Sequence, residues 1–468
     1  MLRKSILASS SFKVINIHEE VGIKMRYIYL DNFRGFQNAV IPILDVTFCV
    51  GENSSGKTSF LSAINLLSSS RFWFDQDFEG NETDFKHFDD YVSVNSSDRA
   101  SFRMGVAEYV ERSTQKDGSK GKGRMLRGFL FKYAENAGLP MLECYTAIMG
   151  EKVITVFLRG RDIKYRISNL GNATLDTFSK GLFDDWKAIQ DDHSNESITT
   201  IRSAELKRGY LPPLYTLTLA YRHAAEQDRG RKPIGGPFLF PGPAFGGDTA
   251  WIAPIRTKPQ RTYDEVRLAF SPEGTHMPYV IKKMAKRGKT SEKFLEFISR
   301  FGKESGLFKE IKVHPFGRAK TSPFELEIIL DSKPLNISNV GYGVSQALPV
   351  VVEALIRPKG TLLAVQQPEV HLHPRAQASI GELLFVLAAT EQKKFIVETH
   401  SDFTIDRFRM ALRASKKKVE SQVLFFARKA GRNSATSIEI EEDGELARTQ
   451  PKAYREFFLS EEFKVIGL

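Results

Sequence analysis

Nine residues constrain this chain more than any others: Gly51 to Ser59, GENSSGKTS, fit G-x-x-x-x-G-K-[ST] at every required place. Gly51 and Gly56 let the backbone curl so that consecutive N–H groups point inward at phosphate oxygens. The apolar run Val46–Val50 ahead of the motif predicts a strand, and Phe60, Leu61, Ile64 and Leu67 behind it recur at helical spacing. A helix beginning near Lys57 adds its positive dipole end to the same site. Lys57 is placed to reach the β- and γ-phosphates, and the Thr58 hydroxyl is a ligand for magnesium. Strand, glycine loop and helix in that order predict the opening of an α/β nucleotide-binding domain.

Further strands are expected at Met25–Phe33 and Val40–Leu44. The aromatic and acidic stretch from Ser68 to Asp98 follows neither period. Lys116 to Arg127, KDGSKGKGRMLR, reads as an exposed loop or a hairpin tip. Strands are expected at Val153–Leu158 and Tyr165–Ile167, and the glycine- and proline-punctuated run Gly235–Gly247 excludes a long helix or central strand there. Regular pattern returns after Trp251. It predicts a helix over Phe294–Phe301, a strand over Phe324–Leu330 and a helix over Val344–Leu355. Strand Thr361–Val365, helix Pro374–Ala388, strand Phe395–Glu398 and helix Asp402–Leu412 follow, an alternation that implies parallel strands packed with helices. A hairpin, Gln422–Arg428 with Ser437–Glu441, comes last. The organisation expected is an extension over 1–24, a first lobe over 25–110, an insertion lobe over 111–250 and a second lobe over 251–468.

Three later segments carry chemistry. In ISNVGYGVSQALP, Gly341 and Gly343 precede a helix near Val344, which makes either a plain helix cap or a second phosphate contact through exposed amides. In LLAVQQPEVHLHP a buried strand delivers Gln366 and Gln367 to the tip where a magnesium-linked acid and a water-activating acid would sit. A carboxamide takes no proton from water and is a poor partner for a cation; Glu369 is the nearest acid. His371 and His373 lie close by, but two histidines without further spaced ligands fit a structural or interface role as readily as a metal site. In FIVETHSDFTIDR a strand delivers Glu398, Thr399, His400 and Ser401 to its end, where a histidine either serves structure or donates to a γ-phosphate and positions water.

Taken in order, these segments resemble the ATP-binding-cassette type of ATPase, in the branch that includes SMC-like, RecF-like and OLD-family proteins. Gly51–Ser59 matches its Walker A loop and Ser338–Gln346 resembles its signature motif, with GYGVSQ in place of LSGGQ. Leu362–Pro374 resembles Walker B plus D-loop, and ETHSD matches the switch-histidine segment. YLDNFRGF, containing Arg34, and WIAPIRTKP around Arg256 also have the look of that branch. The resemblance implies an α/β P-loop NTPase of ABC-ATPase head type with an inserted lobe, using ATP and Mg2+. It implies nucleotide contacts from Arg34, Asn53, Ser54, Ser55, Gly56, Lys57, Thr58 and Ser59. It further implies that Ser338, Gly341, Gly343 and Ser345 touch a γ-phosphate held by the Lys57 of another copy, in a head-to-tail homodimer or higher homo-oligomer. Gln367, Glu369 and His400 take the catalytic positions and Gln366, with Thr58, the metal position, so tight ATP binding with slow or absent turnover is expected.

Within the branch, the chain resembles anti-phage defence ATPases of the Septu, PARIS and retron-associated kinds, which work beside a separately encoded effector, often a nuclease. No nuclease domain is expected in the stretch after His400, and its acidic run Glu439–Glu445 reads as a hairpin with a turn at Asp443–Gly444. A RecF- or SMC-like ATPase of DNA repair or recombination is the alternative. A transporter subunit fits less well, given the signature sequence, the insertion and YLDNFRGF.

Composition narrows the partners. Lys and Arg number 67 against 56 Asp and Glu, a formal charge of +11, which permits a nucleic-acid partner without requiring one. Basic runs at Lys282–Lys289, Lys416–Lys418 and Lys116–Arg127 are either solvated ends or a backbone-tracking groove. No apolar run approaches the ~18 residues of a membrane helix, so no membrane partner is expected. Two cysteines, Cys49 and Cys144, exclude a disulfide framework and a four-cysteine zinc site, and fit a reducing cytoplasm.

Overall fold

The computed structural model describes residues 23–78, 85–116, 119–149, 152–158, 162–169, 180–192, 198–202, 213–227, 249–264, 269–285, 289–319, 321–448, 450–454 and 456–457. Almost all of the expected 1–24 extension and the whole of Gly235–Gly247 lie outside the described residues. In chain order come β1 (Ile23–Asp31), β2 (Ala39–Ile43), β3 (Val46–Gly51), α1 (Lys57–Ser68), α2 (Ser70–Asp75) and α3 (Phe88–Tyr91). There follow β4 (Ser101–Lys116), β5 (Ser119–Asn136), β6 (Leu139–Met149), β7 (Lys152–Phe157), β8 (Ile163–Asn169), α4 (Lys180–Asp191), β9 (Thr199–Ile201) and α5 (Pro213–Gln227). The last part holds β10 (Ala250–Ile252), α6 (Met277–Met284), α7 (Lys289–Ser305), β11 (Glu310–Pro315), β12 (Phe324–Ile329), β13 (Pro334–Asn336), α8 (Tyr342–Ile356) and β14 (Leu362–Gln366). It closes with α9 (Pro374–Glu391), β15 (Lys394–Glu398), α10 (Asp402–Ala414), β16 (Ser421–Lys429) and β17 (Arg432–Ile440).

A six-stranded sheet in the order β10-β14-β15-β3-β16-β17 organises the site. It is parallel from β10 through β16, with β17 added antiparallel. Its strands read as unbroken apolar runs because both faces are covered, as parallel sheets require. Val46, Phe48 and Val50 of β3, Leu363 and Val365 of β14, and Phe395 and Val397 of β15 point into a core shared with α6 to α10. Their neighbours Cys49, Leu362, Ala364 and Ile396 point the other way, into a core shared with Phe60, Leu61 and Ile64 of α1. This period-two split of consecutive apolar residues anchors the sheet between two layers.

The second core is closed by an eight-stranded antiparallel sheet, β2-β1-β4-β5-β6-β7-β8-β9. Residue 111, where an insertion lobe is expected to begin, lies within β4, which pairs with β1 from Asp31↔Arg103 to Ile23↔Val110. The inserted strands therefore continue the sheet that begins with β1 and β2. Lys116–Arg127 proves to be mostly strand, paired with β4 as far as Lys116↔Ser119, so the hairpin alternative holds and the loop alternative does not. The far face of this sheet is covered by α4, with Phe183 stacked on Tyr29 at 4.5 Å and Trp186 fully buried.

Candidate nucleotide site

β3 ends at Gly51 with φ +145°, Ser54 and Gly56 are left-handed at φ +61° and +104°, and α1 starts at Lys57. A Cβ on Gly56 would stand 2.8 Å from both Asn433 Nδ2 and Phe36 Cζ, and one on Gly51 would strike the carbonyl oxygen of Phe426. Glycine is demanded at both places by conformation and by space. The loop is thus moulded by the β16–β17 hairpin, whose Asn433 also takes the Gly35 carbonyl with its N–H at 2.8 Å and the Arg34 carbonyl with its side-chain amide at 2.9 Å.

This loop walls a cavity of about 650 Å³. Asn53, Ser54, Gly56, Lys57, Thr58 and Ser59 line it together with Arg34, Gln367 and Glu398. Lys57 is 4% exposed, and its amine donates at 2.7 Å to the carbonyls of both Gly51 and Glu52. Burial pulls the Lys57 amine below its ordinary value, with Glu398 as the first of the charges that oppose the fall. Arg34 holds a left-handed backbone at φ +43° and its guanidinium lies 4.1 Å over the Phe85 ring.

Ser55, Gln366 and Glu369 sit outside the lining. Ser55 is 1% exposed and bonds the Glu52 carbonyl at 2.7 Å, so it braces the loop and does not line the cavity. Gln366 is 6% exposed behind the wall, its amide donating to Glu398 Oε2 at 2.8 Å. Gln367 turns out of the strand with φ +42°, its N–H donating to the Glu398 carbonyl at 2.7 Å. The buried Arg256 holds this corner, donating to the carbonyls of Gln366 at 2.9 Å and Gln367 at 3.4 Å. Glu369 does not line the cavity; it accepts the His400 N–H at 2.7 Å, and burial pushes its carboxyl up. Desolvation and the Lys57 charge hold the exposed His400 imidazole below its ordinary value, which leaves it neutral at neutral pH. His373 caps α9 by accepting the Ala376 N–H, the structural role.

The second glycine turn does not reach this cavity. Ser338, Gly341, Gly343 and Ser345 are all absent from its lining. Gly341 is exposed at the start of α8, with nothing among the described residues within 4 Å of where a Cβ would stand. Ser338 is also exposed, whereas Ser345 is 3% exposed and bonds the Tyr342 carbonyl at 2.9 Å.

Sequence reasoning missed Asp89, Asp90, Asn95, Arg428 and Asn433, which complete the cavity rim. It also gave Glu398 no role. The signal for that residue was present, an acid at the end of a buried strand, but only strand order shows that β15 lies directly beside β3.

Two family models match the sequence. Residues 24–202 match an AAA ATPase domain, and residues 230–406 match an AAA domain described as putative AbiEii toxin, Type IV TA system. Both descriptions are of AAA domains. The chain's fold is the α/β P-loop fold expected from the sequence. Neither model spans half of the chain, and no curated protein matches it.

Among solved structures, the chain is similar to the SmcHead bound to the C-winged helix domain of ScpA, at 12% identity and TM-score 0.40 over 89% of this chain and 98% of that one. The SMC head domain from Thermotoga maritima gives 12% identity and TM-score 0.37 over 89% and 100%. The Smc head domain with an extended coiled coil, bound to the C-terminal domain of ScpA derived from Pyrococcus furiosus, gives 10% and 0.35 over 95% and 100%. Among the described residues no helix is long and apolar enough to cross a membrane.

The donors around the phosphate end fit a magnesium ion. Thr58 and Glu398 offer hard oxygens, and Mg2+ in such sites takes one or two carboxylates and completes its shell from phosphates and water. Among the described residues no group of three or more His, Cys, Asp and Glu could hold a metal alone. When bound with nucleotide, the ion neutralises phosphate charge.

Proposed function

We propose that this chain is the ATP-driven switch of an anti-phage defence system. Two copies close head to tail on ATP, and that assembly controls a separately encoded effector of the nuclease type. The observation that carries the reading is the separation, on one chain, of the P-loop cavity from the exposed glycine turn ahead of α8. The P-loop cavity has none of that turn in its lining, while Gly341, the exposed N-cap of α8, has no side-chain cap and open space where a Cβ would stand. A helix N-terminus of this kind is complemented by an anion, and a second copy's γ-phosphate supplies one. The description of the model matched by 230–406 names a toxin–antitoxin system, which supports a setting in conflict biology.

Turnover is slow in this reading. Lys57, Thr58 and Arg34 bind and orient the triphosphate, but Gln367 stands where a water-activating base would stand and cannot take the proton. Such a loss costs ~10²–10⁴ in rate. ATP then acts as glue, with assembly following occupancy.

Gly341→Asp is the decisive variant, because nothing local clashes with it. It should leave nucleotide binding by the single chain intact and abolish the ATP-dependent dimer in sedimentation. Co-purification with the products of neighbouring genes, with and without ATP, tests the effector. An unaltered dimer in Gly341→Asp overturns the sandwich. ATPase activity stimulated by DNA, with no neighbour retained, would assign the chain to repair instead.

A further inference from the structure

We infer that Glu398 supplies the carboxylate that faces the divalent cation, and that Gln366 is the positioning residue that aims it. The inference rests on the reading of the P-loop cavity as an ATP site. The acid absent from the tip of β14 is present one strand nearer the phosphates.

Strand order carries the argument. β15 lies between β14 and β3, with Glu398 in register with Cys49 on one side and with Gln366 on the other. β3 runs into the P-loop two residues after Cys49, so an acid on β15 is the strand neighbour of the loop, and an acid on β14 would stand one strand further away. Glu398 lines the cavity alongside Thr58, Lys57 and Gln367, whereas Gln366 does not.

The pair is chemically matched. Glu398 is 5% exposed and Gln366 6%, and their side chains meet at 2.8 Å. Facing a carboxylate, a carboxamide must present its NH2, since its oxygen would be repelled. Gln366 therefore spends its donor on Glu398 Oε2 and fixes the rotation of that carboxylate, leaving Oε1 for the cavity. Two acids at this separation, this deeply buried, would repel each other. Glutamine at 366 and glutamate at 398 thus keep a single negative charge on the two tips together. A plainer role for Glu398, as counter-ion to Lys57 alone, explains neither the Gln366 contact nor its direction.

The test uses the full chain and Mn2+ as the probe, counted by electron paramagnetic resonance on the complex with a non-hydrolysable ATP analogue. Analogue affinity in EDTA is measured separately. Glu398→Gln should keep the affinity in EDTA within about twofold and lose Mn2+ affinity at least tenfold. Gln366→Leu should also lower Mn2+ affinity, by ~10–100-fold, as loss of an outer partner does. The exchange Gln366→Glu with Glu398→Gln should recover part of the loss seen in Glu398→Gln, which a purely structural role would not do. Should Glu398→Gln fail to fold, Glu398→Asp keeps the charge but shortens the reach, and should still weaken Mn2+. Unchanged Mn2+ affinity in a folded Glu398 variant overturns the inference, as does loss of analogue binding in EDTA with normal Mn2+ uptake. Absence of analogue binding by the unaltered chain would instead overturn the ATP site itself.

Discussion

The imidazole Nε2 of His276 and the carboxylate Oε1 of Glu353 meet at 2.6 Å, with both side chains 2% exposed. The Ser271 N–H donates to Nδ1 of the same ring at 3.1 Å, so Nε2 carries the proton and donates to Glu353. Arg357 takes the other carboxylate oxygen at 2.7 Å. The contact ties the chain after β10 to the last turn of α8, whose N-cap is Gly341.

That pair should make the fold acid-sensitive. Burial alone would push the Glu353 carboxyl up, but the His276 hydrogen bond and the Arg357 charge outweigh it and hold the group below its ordinary 4.5. A depressed carboxylate contributes stability that is fully present above the unfolded value and lost as pH falls through the folded one. Urea midpoints should therefore drop below about pH 4.5, and Glu353→Gln should flatten that limb. His276→Ala should cost about 1–3 kcal/mol at neutral pH.

Gly51→Ala should be among the most damaging single-methyl changes. Its φ of +145° is strained for any other residue, and the added methyl meets the Phe426 carbonyl. About 1–3 kcal/mol is expected from the backbone alone, read as a lower urea midpoint with an unchanged slope. A fully stable Gly51→Ala would show that the β3–β16 contact is looser than described.

Lys57 must surrender two carbonyl hydrogen bonds to reach a phosphate. It pairs with an anion only when protonated, and its amine lies below the ordinary 10.5. ATP affinity should weaken as pH rises toward that depressed value, and Lys57→Ala should lose both affinity and this pH dependence. Fluorescent-analogue titrations between neutral and alkaline pH would read both effects.

Gln367→Glu should raise phosphate release by ~10²–10⁴, since residue 367 lines the cavity and its left-handed φ suits glutamate no worse than glutamine. No increase would remove residue 367 from the base position.

Much of the fold was legible in the chain. Gly51, Gly56 and the apolar runs on either side depend on local sterics and period, which a sequence displays directly. The same holds for the alternation from Leu362 to Leu412. The stretch from Ser68 to Asp98 was illegible because its order is tertiary. Phe72 and Trp73 pack edge-on to Phe131, and Tyr91 stacks on Phe102, so partners on β4 and β5 decide its shape. The partner of Gln366 was hidden for a related reason: register between β14 and β15 is not written in either strand.

The placement of β3 also has a consequence in time. Its two parallel neighbours, β15 and β16, begin at Lys394 and Ser421, and the amide that shapes Gly56 belongs to Asn433. On the ribosome, the GENSSGKTS segment emerges long before either flanking strand has been synthesised. Nascent chains halted before Ser421 should therefore fail to retain ATP.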